Sequence, residues 1–170
     1  MDVTLRKAVP SDCDRIATMV SALASEHIAP SLGDGGIEVL LTSLGPEPTR
    51  KRILDNWFHL CAFEGDKLIG VVVVRPPSHL YHLFVASDFQ KRGIGGQLFA
   101  AADAATIANS QSRILTVNSS LNAVPVYERL GFSKTSRSRL ATNFRQSTIV
   151  LLFCLLMPAN VRPKYPDGIH

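Results

Sequence analysis

The chain has 170 residues, 46% of them apolar and 19% charged, and a net charge of +4. That length predicts one domain with a real core, and the balance of apolar and charged residues excludes a disordered chain. The longest apolar run, 149–157, falls short of the roughly 18 to 20 residues of a bilayer span, and no basic-then-apolar leader follows Met1-Asp2, so a cytoplasmic protein with no membrane partner is expected.

Val3 and Leu5 alternate with Thr4 and Arg6 as a short strand, and Pro10 leads into Ser11-Asp12-Cys13-Asp14, a capping box with Ser11 as the cap. Ile16, Met19, Val20 and Leu23 recur at helical spacing, so an amphipathic helix is predicted over 12–27. Gly33 to Gly36 breaks the chain, and Ile37, Leu40, Leu41 and Leu44 restart a helix that Pro46 and Pro48 end, with a further turn or two over 49–56. Strands follow at 57–63 and 68–75 around the turn Glu64-Gly65-Asp66-Lys67. The β-branched run Val71 to Val74 reads as a strand buried on both faces. After Pro76-Pro77 come a strand at 79–85, an alanine-rich helix at 93–108, a strand at 114–118 and a short helix at 122–130 closed by Gly131. Two last strands are expected after Phe132 and over 147–157, and residues 158–170 read as an irregular tail behind one domain, 1–157. The alternation of strands and helices defines an α/β or α+β fold with a mixed sheet, not a doubly wound one.

Charge is unevenly placed. Residues 1–132 hold 12 basic and 13 acidic side chains, whereas 133–170 hold 6 basic and 1 acidic. Lys134, Arg137, Arg139 and Arg145 carry most of that excess. A nucleic-acid reader usually presents a domain-wide basic face with interleaved aromatics, so a solvated basic hairpin is the expectation and a nucleic-acid-associated protein the alternative. Cys13, Cys61 and Cys154 are widely spaced, without a CxxC pair or metal-ligand spacing, and predict free thiols and no metal site.

The chemically informative segment is 79–96, His-Leu-Tyr-His-Leu-Phe-Val-Ala-Ser-Asp-Phe-Gln-Lys-Arg-Gly-Ile-Gly-Gly. Gly93, Gly95 and Gly96 at a helix start leave the backbone open to a phosphate or pyrophosphate, and Lys91 and Arg92 add charge there. The spacing fits neither a Walker A loop nor a Rossmann fingerprint, since position 98 is Leu. Gln90-Lys91-Arg92-Gly93-Ile94-Gly95 follows the pattern Q/R-x-x-G-x-G/A instead, and resembles the acetyl-CoA signature of the GCN5-related N-acetyltransferase (GNAT) superfamily. Val117-Asn118-Ser119-Ser120, followed by Tyr127-Glu128-Arg129-Leu130-Gly131-Phe132, is similar to the late strand, helix and Tyr-x-x-x-Gly-Phe turn of the same family. The resemblance covers about residues 3 to 157.

That resemblance implies a mostly antiparallel sheet of about seven strands with about four helices and splayed central strands. It implies acetyl transfer from acetyl-CoA to a primary amine of a small molecule or peptide, by direct attack in a ternary complex. A non-catalytic acyl-CoA-binding module of the same fold is the alternative. By position, the backbone of Leu83, Phe84 and Val85 would pair with pantetheine, and Gln90, Lys91, Arg92, Gly93, Ile94, Gly95 and Gly96 would wrap the pyrophosphate. Many members carry Asn seven residues before the tyrosine, where this chain has Ser120, so Asn118 or Ser120 takes that contact. Tyr127 is the expected proton donor to the leaving sulfur. No Glu lies between Glu64 and Glu128 to serve as base. His79 and Tyr81 share the strand parity of Leu83 and Val85, with His82 on the other face. Their arrangement is similar to the His-x-His pairs of arylalkylamine acetyltransferases, so His79 is the expected base and Tyr81 the residue lining the acceptor cleft. Edge strands of such sheets often pair, which makes a homodimer an expectation. The basic segment, through Arg137 and Arg139, points to an anionic acceptor.

Overall fold

The computed structural model describes residues 2–31, 34–109, 114–119, 123–134 and 151–156. Its centre is the valine run predicted as a doubly buried strand. Val71, Val72, Val73 and Val74 are all buried in β3 (Lys67–Arg75). Around it lie β1 (Val3–Lys7), β2 (Phe58–Glu64), β4 (His79–Val85), β5 (Ile114–Ser119), β6 (Ser133–Lys134) and β7 (Leu151–Leu156). They form one seven-stranded sheet in the order β1-β2-β3-β4-β5-β7-β6. Every neighbouring pair is antiparallel except β4 and β5. The fold class and strand number are those expected.

Five α-helices are described: α1 (Cys13–His27), α2 (Asp34–Ser43), α3 (Pro46–Leu54), α4 (Ile94–Asn109) and α5 (Val124–Arg129). About four are expected from the sequence, where Pro46 and Pro48 end a helix. Pro46 instead starts α3 behind Gly45, where a missing N–H costs nothing and the fixed φ suits the first turn. The start of α1 also differs from the expected capping box. Pro10–Asp12 forms a 3-10 turn, Ser11 is exposed, and the buried Asp12 carboxylate does the work of the cap. It accepts the Val9 N–H at 2.9 Å and a two-pronged pair from Arg6 at 2.7 and 2.9 Å. That Arg6 hydrogen bond is the main reason the Asp12 carboxyl sits below the usual carboxylate range.

Two cores flank the sheet. On one face Leu60, Ile69, Val72, Leu80, Leu115 and Val117 pack with Leu98 and Ala102 of α4. On the other, Cys61, Val71 and Val73 pack with Ile16, Val20 and Ala24 of α1. Each aliphatic side chain so buried contributes about 1.5 to 3 kcal/mol of transfer free energy. The small side chains of α4 let it sit close to the sheet at Gly70. A Cβ there would lie 2.9 Å from Leu98 Cδ1 and 3.2 Å from the Phe84 carbonyl oxygen. Among the described residues no helix is long and apolar enough to cross a membrane, and no group of three His, Cys, Asp or Glu is placed to hold a metal ion.

Two irregularities of β4 shape everything that follows. Its parallel pairing with β5 is confined to His79 with Thr116 and Leu80 with Val117. Beyond Leu80 the strands part, so the β5-facing edge of Tyr81–Val85 has no ladder partner among the described residues. In addition, the register with β3 slips between Val73, paired with His82, and Val74, paired with Leu80, which leaves Tyr81 as an extra residue.

Candidate active site

The slip at Tyr81 overturns the parity expected for β4. Leu80, Leu83 and Val85 pack against the α4-side core, whereas Tyr81 and Phe84 pack against the α1-side core. His82 joins them there, with its ring 4.3 Å from that of Tyr81 and 5.5 Å from that of Phe84. Tyr81 therefore does not share a face with Leu83 and Val85, and His82 does not lie opposite Tyr81. The extra residue turns two successive side chains to one side.

His79 starts β4 at the closed end of the split. Its Nδ1 lies 2.8 Å from the Thr116 hydroxyl on β5. Leu115 and Val117 are buried in the α4-side core, so Thr116 between them projects to the opposite face, where it meets His79. Burial, and then the charge of Arg75, hold the His79 imidazole below its ordinary pKa of 6.5. The ring is therefore neutral at pH 7 and able to accept a proton. With Nδ1–H directed at Thr116, Nε2 carries the free lone pair.

Past the end of β4, the turn Ser87–Phe89 and residues 90–93 lead into α4. The Gln90 side-chain amide donates to the Val85 carbonyl at 3.0 Å and folds this loop back on the strand end. Lys91 and Gly93 have positive φ, 60° and 82°, with Arg92 between them. A left-handed lysine costs about 1 kcal/mol, strain of a kind that collects at ligand sites. The Gln97 N–H donates to the Gly93 carbonyl at 3.1 Å, so the amides of Gly93 to Gly96 precede the helix's own ladder and have no acceptor within it. A Cβ added at Gly93 or Gly96 would meet nothing within 4 Å. Gly96 is the more telling of the two. It has no positive φ, so a glycine there weakens the helix by about 0.5 to 1 kcal/mol without any packing reason inside the chain. Bare backbone, free amides and the Lys91 and Arg92 charges together face open space that suits a pyrophosphate. Arg92 and Lys67 both lie over the Phe89 ring, at 5.3 and 4.8 Å, which fixes two cations beside this turn.

Tyr127 projects from α5 against the α4-side core, with its ring edge-on to Phe132 at 5.7 Å. Burial pushes its phenol up to about 12, which keeps the hydroxyl protonated at every physiological pH. Gly131, with φ of 92°, ends the helix and turns Phe132 back beneath Tyr127, as its sequence position predicts. Asn118 is exposed near the end of β5. Ser120, Arg137, Arg139, Arg145 and the tail 158–170 lie outside the described residues. Cys13 and Cys61 are buried and free, and burial raises the Cys61 thiol to about 12, leaving it un-ionised.

Sequence reasoning missed a further group on the α1 side of β4. Arg52 near the end of α3 lies over the rings of Tyr81, at 4.9 Å, and Trp57, at 5.8 Å. His59 and His82 line a dry crevice under Arg52, too narrow for a water-sized sphere. His59 donates from Nδ1 to the Trp57 carbonyl at 3.0 Å. Burial first, and then Arg52 and His59, push His82 down to about 3. The signal available in the sequence was slight: Trp57 is the single tryptophan, and Arg52 closes the run Arg50-Lys51-Arg52.

A family model for the acetyltransferase (GNAT) domain matches residues 28–148, more than half of the chain. The chain belongs to the GNAT acetyltransferase family. Solved structures agree in fold. A GCN5-related N-acetyltransferase from Rhodopseudomonas palustris superposes with a TM-score of 0.77 at 21% identity, covering 92% of this chain and 97% of that one. The PaiA N-acetyltransferase of Thermoplasma acidophilum, solved in complex with coenzyme A, gives 0.75 at 15% identity over 92% and 99%. YncA of Salmonella typhimurium, solved with acetyl-CoA, gives 0.65 at 16% identity over 95% and 98%. No curated protein sequence matches the chain.

Proposed function

We propose that the chain transfers an acetyl group from acetyl-CoA to a primary amine by direct attack in a ternary complex. The observation that carries this proposal is that the unladdered β4 edge, Tyr81–Val85, runs up to the bare-backbone turn at Gly93–Gly96, where a Cβ on Gly95 would lie 3.7 Å from Val85 Cγ2. A long ligand with an anionic middle and an amide-bearing arm fits both. Bound there, acetyl-CoA supplies an activated thioester. The free amides of Gly93 to Gly96, with Lys91 and Arg92, hold the pyrophosphate, and the backbone of Leu83 to Val85 pairs with the pantetheine amides. Asn118 contributes from the facing strand.

The chain's own side chains then manage two protons. His79 accepts one from the ammonium of the acceptor at Nε2, while Thr116 fixes the ring through Nδ1. Tyr127 directs its hydroxyl to the departing sulfur. A phenol near 12 is too weak to protonate a thiolate of about 8.5 fully, so its contribution is a strong hydrogen bond as charge develops. Acetyl-CoA titrated by calorimetry, followed by its consumption over a panel of amines, tests the proposal. Saturable binding with amine-dependent release of CoA is expected. Binding without release over the panel would leave an acyl-CoA-binding module, and no binding would overturn the site.

A further inference from the structure

The Arg52 group has a geometry for which the described residues supply no counter-ion. The guanidinium is half-buried and lies against the faces of two aromatic rings, Tyr81 and Trp57, which meet each other edge-on at 5.2 Å. Its Nη2 donates both to the Ser43 carbonyl at the end of α2 and to the Tyr81 hydroxyl, the latter at 3.4 Å. These contacts use two of its five N–H donors and hold its plane fixed. None of the ion pairs among the described residues includes Arg52: Asp12, Glu47 and Asp55 are paired with Arg6, Arg50 and Lys51. A partly desolvated arginine, stacked and oriented but without a carboxylate among the described residues, keeps its Nε–H and Nη1–H donors and its charge for one from outside.

Its position says what that carboxylate belongs to. Tyr81 is the extra residue of β4, next to Leu80, the last residue paired with β5. The split in the sheet opens at that point, so Arg52 reaches the α1 side of β4 beside the start of the cleft, on the face that also holds His79 and Thr116. We infer that Arg52 binds the carboxylate of the acceptor, so that the substrates are small amines bearing a carboxylate group. This rests on the acetyl-transfer proposal for the identity of the amine, but the anion site itself does not depend on turnover. The rings of Tyr81 and Trp57 confine the carbon chain between the two charges, and the neutral His59 and His82 beneath leave Arg52 as the cation presented to it.

Trp57, the single tryptophan, makes the site directly observable. The unmodified chain is titrated with α-, β- and γ-amino acids and with the matching carboxamides, without acetyl-CoA. A saturable change in tryptophan fluorescence with at least one acid, about tenfold weaker for its amide, is expected, and Arg52→Gln abolishes that difference. Arg52→Lys keeps part of it, since the charge remains and the planar group stacked on Tyr81 and Trp57 is lost. In steady-state assays the acid-over-amide ratio of kcat/KM falls about tenfold in Arg52→Gln, through KM. Equal responses to acid and amide, or loss of both acceptors by one factor in Arg52→Gln, would overturn the inference while leaving acetyl transfer standing. Identical behaviour of the Gln and Lys variants would do the same. Carboxylate-specific quenching without CoA release over the panel would instead leave the anion site intact and remove the transferase.

Discussion

His79 Nδ1 and the Thr116 hydroxyl, 2.8 Å apart, clasp β4 to β5 at the closed end of the split between them. The carbonyl of Ser78 lies behind, 3.5 Å from the same hydroxyl, so the chain of donors runs from imidazole to threonine to backbone. With the Thr116 hydroxyl donating to that carbonyl, the proton sits on Nδ1 and Nε2 keeps the lone pair that the proposed mechanism uses.

A pH–rate profile tests the consequence. His79 is held below 6.5 by burial and by Arg75, so an acid limb due to it lies below pH 6.5, with kcat/KM falling as the ring protonates. Arg75→Gln removes a repulsive charge, raises the pKa and moves that limb to higher pH. His79→Ala loses about a hundredfold in kcat together with the limb, and Thr116→Val about tenfold with binding of acetyl-CoA kept. An unaltered profile in His79→Ala would remove His79 from the chemistry.

Tyr127→Phe keeps the ring contacts with Phe132 and deletes only the hydroxyl. We expect kcat to drop at least about tenfold, with the dissociation constant of acetyl-CoA changed little. Because the phenol titrates near 12, the wild-type profile carries no basic limb from Tyr127 below about pH 11. Full turnover by the Phe variant would place the tyrosine in the core alone.

Gly96→Ala separates stability from binding. The added methyl meets nothing in the chain and improves helix propensity, so thermal unfolding gives about 0.5 to 1 kcal/mol of extra stability. The same methyl occupies the space proposed for the pyrophosphate, and calorimetry should record weaker acetyl-CoA binding. A variant that is both more stable and equally tight in binding would contradict the assignment of that turn.

Acid stability reports on the α1-side crevice. His82 titrates near 3 in the fold and near 6.5 when unfolded, so the unfolded chain binds more protons between those values. Stability is complete above pH 6.5 and falls as pH drops towards 3, by up to about 5 kcal/mol from this ring. His82→Leu flattens that slope in urea titrations at pH 7 and pH 4. An equal slope in both proteins would mean that water reaches the imidazole.

Much of this was written locally. The valines of β3, the turn at Gly65, the αL glycine at 131 and the glycines before α4 each announce their conformation through a property of one or a few residues. The extra residue in β4 does not. Polar residues at 79, 81 and 82 and apolar ones at 80, 83, 84 and 85 suit an unbroken strand equally well, and only the register with Val73 and Val74 turns Tyr81 aside. Arg52 was hidden for a related reason, since it meets Tyr81 across 29 residues of sequence. The motif marks the proposed donor side because phosphate binding is done by consecutive backbone groups. The proposed acceptor side draws on α3, β2 and β4, brought together by packing that no local pattern encodes.

The short contact between β4 and β5 has a mechanical meaning as well. Among the described residues, four strands, β1 to β4, and three, β5, β7 and β6, share a seam of two residue pairs, joined also by the contacts of Thr116 with His79 and Ser78 and by the core cluster packed with α4. So short a seam leaves the two parts of the sheet free to open as separate units, and a ligand bound across the split would tie them together. Amide exchange should then slow on both parts when the donor binds, reaching β5 as well as the turn it touches.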